Sequence, residues 1–155
     1  MRKYILYFKY VVRHKWYVFL ECLVLGIPLR GLLHDLSKFR PSEFIPYARH
    51  FYGKNYDMKD MEIAWLHHVH RNKHHPEYWV STEIGSGKQM PNMMPDKYIR
   101  EMVADWKGCG HAKGKGSPKD DPYKETREWY SKSAKLFALS PYTRLRVEQL
   151  IGYNM

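Results

Sequence analysis

The feature that most constrains the fold is the apolar stretch over residues 4 to 29, "YILYFKYVVRHKWYVFLECLVLGIPL". Charged or basic residues interrupt it, namely Lys9, Arg13, His14, Lys15 and Glu21. A membrane-spanning helix needs about 20 mostly uncharged residues, and no Ala-x-Ala-like cleavage site follows, as a signal peptide would require. The stretch therefore predicts a buried first helix, and association with a membrane surface stays the alternative.

Helical patterns dominate the remainder, since neither sustained alternation nor a hairpin-type Asn-Gly or Asp-Gly is present. The expected helices are 3–25, a short one over "LRGLLHDL", 41–53 with Ser37 able to cap it, 58–73 capped by Asp57, one from Pro95 stopped by "GCG" at 108–110, 122–138 and 141–151. Residues 81–92 and the basic, glycine-rich 107–119 are expected to be loops. We predict an all-α fold of about six or seven helices in one domain over 1–155, with a ligand-bearing core of about 3–107 and C-terminal packing helices of about 122–151.

Charge and cysteine content limit the partners and the compartment. The 26 lysines and arginines exceed the 16 acids, for a net charge of +10, which favours anionic partners such as phosphorylated molecules, nucleic acid or lipid. Cys22 and Cys109 are the sole cysteines, too few for a disulfide scaffold. We therefore expect a reducing, cytoplasmic setting, and the sequence leaves the oligomeric state open.

Histidines are concentrated in "AWLHHVHRNKHHPEYW", residues 64 to 79. On a helix, residues seven apart share a face, so His68 pairs with His75, and His67 pairs with His74 on a face rotated by about 100°. Neutral imidazole is the commonest transition-metal ligand. The cluster is a candidate metal site, although such a run is also typical of a solvated basic helix face.

Four further residues, outside this cluster, have side chains that can bind a metal ion. His34 and Asp35 are adjacent in "LLHDLSKF", His14 precedes them by twenty residues, and Asp105 lies in "EMVADW". Taken singly, His14 fits a core histidine, and Asp105 fits a cap, an ion-pair partner or a surface acid. In order, they form an H…HD…D pattern across residues 14 to 105.

This pattern resembles the HD-domain superfamily, all-helical metal-dependent phosphohydrolases. "HDLSK" is similar to the HD-x-[GS]-K of many members, and "HDLSKF", "NKHHPEYW" and "EMVADW" resemble a small uncharacterised branch of short bacterial and phage proteins. The resemblance implies the metal ligands His14, His34, Asp35 and Asp105. It also implies that Asp35 bridges two ions where two are bound, with His68 and His75, and next His67 and His74, on the second. Lys38 then faces substrate phosphate.

The ligand types suit one or two divalent ions, of Mn, Fe, Co, Ni, Zn or Mg. Asp35 and Lys38 are the candidate catalytic residues, because an aspartate here can coordinate or orient the attacking water. The candidate substrate-binding residues are Lys38, Arg71, Asn72, Lys73, Lys113 and Lys115. Glu43 and Glu62 are candidates for orienting the ligands or acting as a base, although each also fits a solvated helix face. Trp65, Trp79 and Trp106 are expected to be core residues around the site, with stacking on a base as the alternative.

The resemblance implies a phosphohydrolase that acts on a small phosphorylated molecule, with a nucleotide as the leading substrate, by metal-activated water. One alternative is a diiron oxygenase that cleaves C–C or C–P bonds, which the histidine density permits. The other is a basic nucleic-acid-binding module in which the histidines are incidental.

Overall fold

The structure, a computed structural model, describes residues 1–54 and 56–153, and in these ranges the chain is predominantly helical. Its helices are α1 (Arg2–Val24), α2 (Pro28–Leu33), α3 (Pro41–Tyr52), α4 (Met58–Arg71), α5 (Asp96–Ala112), α6 (Lys124–Ser133) and α7 (Pro141–Ile151). Short 3₁₀ turns cover Leu36–Phe39, Pro76–Trp79 and Ala134–Leu136. The predicted all-α class is confirmed.

The central contact of the fold is α1 against α5. At the crossing, a Cβ added to Gly108 would lie 2.5 Å from Val18 Cγ2 and 2.9 Å from the Val18 backbone nitrogen. The "GCG" stretch therefore allows two backbones to approach closely and does not stop the helix, which continues to Ala112. The prediction of a loop from residue 107 was wrong for this reason; Lys107 lies on α5 and pairs with Glu21 at 2.7 Å.

Helices α3 and α4 cover the other side of α1. Tyr7, Tyr47 and Ala64 form a buried apolar cluster between them. Asp57 caps α4 as predicted, since its side chain accepts a hydrogen bond from the Lys59 backbone nitrogen at 2.9 Å. Ser37 does not cap α3: its hydroxyl donates to a Glu43 carboxylate oxygen at 2.8 Å, and Arg40 is the residue that precedes the helix.

The C-terminal helices close a second core against α5. Ile99, Met102, Tyr130, Val147 and Ile151 are buried there. Helix α6 is shorter than expected, because the chain leaves helical geometry after Ser133 and turns through Ala134–Leu136.

Between α4 and α5, the structure of two segments differs from what the sequence predicted. Helix α4 ends at Arg71, so the residues from Asn72 to His75 form a turn and not the last helical turn. Residues predicted as loop form an antiparallel hairpin of β1 (Val80–Thr82) and β2 (Gln89–Pro91), with Val80 opposite Pro91. Strands of three residues are too short to show alternation, and so the pattern gave no strand signal.

Among the described residues, no helix is both long enough and apolar enough to cross a membrane.

Candidate metal centre

The Asp35 carboxylate lies at the centre of the site because its backbone has an unusual conformation. Helix α2 ends at Leu33, and Asp35 follows with φ 51° and ψ 29°, the one left-handed residue other than glycine in the described ranges. Aspartate tolerates this region better than most residues, yet at a cost of about 1–3 kcal/mol. The turn directs a fully buried carboxylate between α1, α4 and α5.

The first ligand group joins three helices. It consists of His14 from α1, His34 and Asp35 after α2, and Asp105 from α5. His14 Nε2 lies 3.1 Å from Asp105 Oδ1 and 3.4 Å from His34 Nε2. One ligand atom from each of the four residues lies within 4.8 Å of the others, a cluster compact enough to hold one ion.

The second ligand group shares Asp35 and adds His68 from α4 with His74 and His75 from the turn after it. Asp35 Oδ1 lies 3.5 Å from both His68 Nε2 and His74 Nε2. His75 Nε2 lies 2.9 Å from His68 Nε2. The other oxygen, Asp35 Oδ2, lies 3.4 Å from His34 Nε2 in the first group. Each oxygen of one carboxylate thus faces a different ligand group.

Glu101 forms a hydrogen bond with a histidine of the first group and lies at ion-pair distance from a histidine of the second. His34 Nδ1 donates to Glu101 Oε1 at 3.2 Å, and His74 Nδ1 lies 3.4 Å from the same oxygen. Arg30 binds the other oxygen through Nε at 2.7 Å. A carboxylate on Nδ1 leaves Nε2 free to coordinate, the usual arrangement for metal-binding histidine.

Glu43 performs the same role for His68. His68 Nδ1 donates to Glu43 Oε2 at 2.9 Å, and Arg71 donates to Glu43 Oε1 at 2.6 Å. Asn72 Nδ2 donates to Ser37 Oγ at 2.7 Å and to the His68 carbonyl at 2.8 Å. These contacts fix the ring of His68 with its Nε2 toward Asp35.

The protonation states suit a cation. Burial disfavours ionised Asp35, but His34 and Lys38 beside it hold the pKa of its carboxyl well below the usual range. Burial, with His74 and His68 nearby, holds the pKa of His75 well below its usual value, so its ring is neutral. Burial opposes protonation of His34, yet Asp35 foremost raises its pKa to about 9. A bound cation would replace that proton.

Asp35 Oδ1 and His74 Nε2 are among the buried polar atoms at the centre that have no hydrogen-bond partner. A buried acceptor left unsatisfied costs about 1–3 kcal/mol. A metal ion between the two would satisfy both. Imidazole nitrogens with carboxylate oxygens are a suitable donor set for a divalent transition metal, so the residues present fit the ion that the sequence predicted.

A cavity of about 590 Å³ opens onto both groups. His14, Asp105, His68, His75 and Lys38 form its polar wall, and its apolar wall is mostly aromatic, including Tyr7, Tyr10, Tyr47, Phe51 and Trp65. Lys38 Nζ lies 2.6 Å from Asp35 Oδ2. Burial opposes the charge of Lys38, but Asp35 and Asp105 raise its pKa above the usual value, so it is an ammonium. Arg13 and Lys113 add positive charge to the lining.

Comparison with known families matches residues 3–153 to a family of unknown function, DUF5662. The chain belongs to this family. No curated protein and no solved structure matches it. The match covers every residue of the two ligand groups, so the centre lies wholly within the family region of this DUF5662 protein.

Most of the predicted ligands come together, but the histidines of the second group do so for a different reason than predicted. His14, His34, Asp35 and Asp105 form one group as the resemblance implied, and both His68 and His75 reach the other. His74 and His75 arrive through the turn that follows α4, so the helical spacing of seven does not bring them there. His67 belongs to neither group, because it lies about 100° around α4 from His68.

Several predicted substrate residues lie elsewhere. Arg71 and Asn72 support Glu43 and His68 and do not line the cavity. Lys73 is exposed, with Nζ 5.4 Å from the centre of the Tyr78 ring. Lys115 lines a smaller cavity of about 170 Å³ beside Asp105, which Lys113 also borders. Lys38 and Lys113 therefore remain as the predicted lysines that reach the main cavity.

Of the glutamates and tryptophans named from the sequence, some lie at the site and others do not. Glu62 is exposed on α4, whereas Glu43 is fully buried at His68. Trp79 and Trp106 pack on the C-terminal core as expected, but Trp65 lines the cavity and is 41% exposed.

Sequence reasoning missed Glu101. It is 1% exposed and precedes Asp105 by four residues, so both lie on one face of α5. That spacing was a usable signal: a second acid one turn before a ligand, on a helix that faces a histidine cluster. Arg13 and Tyr10 of the cavity wall were also missed, because their position depends on how α1 packs.

Proposed function

We propose that this protein is a metal-dependent phosphohydrolase of the HD-domain type, with two divalent ions, that acts on a small phosphorylated molecule, foremost a nucleotide. The observation that carries the proposal is the shared Asp35, whose two oxygens face two separate ligand groups. A carboxylate in this position suits a bridge between two ions, the arrangement that clamps a transferred phosphoryl group.

The residues would divide the work as follows. His14, His34, Asp105 and Asp35 would hold one ion; His68, His74, His75 and Asp35 would hold the other. When bound, such ions lower the pKa of a coordinated water and withdraw charge from a phosphoryl oxygen.

Lys38 lies where the phosphoryl group would bind. Its ammonium lines the cavity directly beside Asp35, so it can donate hydrogen bonds to an anionic oxygen there. The aromatic wall offers flat apolar faces, among them Tyr10 and Trp65, on which a planar base can stack. Arg13 and Lys113 attract an anionic ligand to the same cavity.

Burial argues against incidental histidines. His14, His34, His68 and His74 are each about 1% exposed and surround buried carboxylates. Gathering so many polar groups away from water is unfavourable unless something binds them. This supports a metal centre over a nucleic-acid module in which the histidines have no role.

The test is phosphate release from a panel of nucleoside mono-, di- and triphosphates, with each candidate metal. Lys38→Met should lower kcat/KM by about 10²-fold, the usual effect of removing a donor to a reacting oxygen. Lys73→Met is the matched control, since Lys73 does not line the cavity, and it should change kcat/KM less than twofold. No turnover with any nucleotide or metal, from protein shown to contain metal, would refute the hydrolase proposal, and oxygen consumption by an iron-loaded form would favour the oxygenase.

A further inference from the structure

Helix α1 is apolar on two opposite faces. Tyr7, Val11 and Val18 are buried in the protein. On the other side, six large apolar side chains are exposed: Ile5, Phe8, Val12, Trp16, Leu20 and Leu23. At 100° per residue they fall within about 120° of the helix circumference. The sequence predicted that the apolar residues of α1 are buried, but only those on one face of the helix are.

The segment after α1 widens this exposed surface. Leu29, Leu32, Leu33, Leu36 and Phe39 are also exposed. A Cβ on Gly31 would lie 2.6 Å from Cys22 Cβ, so α2 lies directly against α1. Phe8 and Phe39 contact each other edge to face, with ring centroids 6.0 Å apart. We call these eleven side chains the apolar face.

The apolar face is large for a protein surface. Its members are between 38% and 73% exposed. The largest apolar patch on a typical monomer is about 300–600 Å², and larger ones mark interaction sites. Eleven large apolar side chains exposed on one segment are a feature of this kind, so we interpret the surface as an interaction site.

The exposed charges of residues 1–40, the segment that carries the apolar face, are all positive. Residues 1–40 contain eight lysines and arginines but two acids, Glu21 and Asp35. Both acids are buried, Glu21 against Lys107 and Asp35 in the metal centre. The exposed cations include Arg2, Lys9, Arg13 and Arg40. The complementary surface is therefore apolar with negative charge at its edge.

We propose that the apolar face docks the protein on a lipid bilayer with anionic headgroups. In such docking, apolar side chains enter the boundary between headgroups and acyl chains, and the flanking cations bind lipid phosphates. Trp16, 58% exposed near the middle of α1, suits that boundary. A second copy of this chain fits less well, because symmetric pairing would oppose the same cations with no exposed acid from this segment to neutralise them.

The proposal that the apolar face docks on a membrane does not depend on the proposed hydrolase activity. None of the eleven side chains lines the main cavity, so the surface can be tested without touching the metal centre. Arg13 is the exception to that separation, since it is both exposed and part of the cavity wall. It is left unchanged in the variants below.

The experiment is co-sedimentation of the full metal-loaded chain with vesicles of phosphatidylcholine, with and without phosphatidylglycerol. We expect binding to the anionic vesicles that weakens with salt. The double variant Trp16→Ser/Leu20→Ser removes apolar area without changing charge and should lower the partition coefficient at least about tenfold. The matched control Leu136→Ser/Leu145→Ser alters two exposed leucines outside the apolar face and should bind like wild type.

A charge pair sharpens the test. Lys9→Gln should lower the partition coefficient about fivefold, and the exposed Lys132→Gln on α6 should leave it unchanged. Equal losses in each variant and its control would overturn the proposal, because binding would then reflect net charge alone. So would the absence of binding to anionic vesicles by folded protein with wild-type metal content. A dimer in sedimentation equilibrium that the Trp16→Ser/Leu20→Ser variant dissociates, without vesicle binding, would instead identify the apolar face as a subunit interface.

Discussion

The two ligand groups that share Asp35 are built in different ways. His14, His34 and Asp105 come from three chain segments that meet only when α1, α2 and α5 pack together. His68, His74 and His75 come from one stretch of eight residues, α4 and the turn after it. The first group depends on tertiary packing, whereas the second depends on how one helix ends.

The difference extends to the residues behind the ligands. Glu101 contacts one histidine of each group and so couples them. Glu43 contacts His68 alone among the ligands and is held by Arg71 and Ser37. Glu101 therefore contacts both ligand groups, whereas Glu43 supports the second group only.

The largest effect on this comparison is expected from Glu101→Gln. Loss of the carboxylate weakens the orientation of His34 and His74 together, so the affinity for metal should fall about 10–100-fold at both positions. Competitive titration against a chelator measures it. The exposed Glu62→Gln serves as the control, and a loss confined to one position would show that Glu101 does not couple the groups.

Glu43→Gln should affect one group. Because its carboxylate orients His68 but no residue of the first group, we expect about a 10–100-fold loss at one ion and wild-type affinity at the other. Titration of Co²⁺, followed by its visible absorption, distinguishes the two ions. Equal weakening of both would contradict the division between the groups.

His67→Ala should have the smallest effect. His67 belongs to neither ligand group, so metal stoichiometry should be unchanged and the free energy of unfolding should shift by less than about 1 kcal/mol. Denaturant unfolding with elemental analysis checks both. Loss of an ion would show that His67 is a metal ligand, as its predicted helical pairing with His74 requires.

The sequence predicted some parts of this molecule because they are local. Helix class, the Asp57 cap and the approximate bounds of α1 and α7 follow from periodicity and capping residues. The grouping of His14 with His34, Asp35 and Asp105 was expected only through a resemblance, since no local rule relates residues on three helices.

Other parts depended on contacts that no pattern reveals. Glycines at 108 and 110 are typical of a helix stop, but a glycine can equally allow close approach of a neighbouring element. The contacts of Gly108 with Val18 and of Gly110 with Glu125 decide between these interpretations. Lys73 and Lys113 look equivalent in sequence, yet one faces solvent and one lines the cavity. The exposure of one face of α1 was likewise not predicted, because apolar residues on both sides of a helix indicate burial on both sides.

The most direct test of the account is metal content by elemental analysis of wild type and a folded Asp35→Ala variant, both reconstituted with Mn²⁺, Co²⁺ or Fe²⁺ and desalted. Because Asp35 belongs to both groups, we predict about two ions per chain in the wild type and fewer than one in the variant. Equal metal content in the two proteins, or no metal in either, would contradict the claim that one carboxylate joins two metal sites.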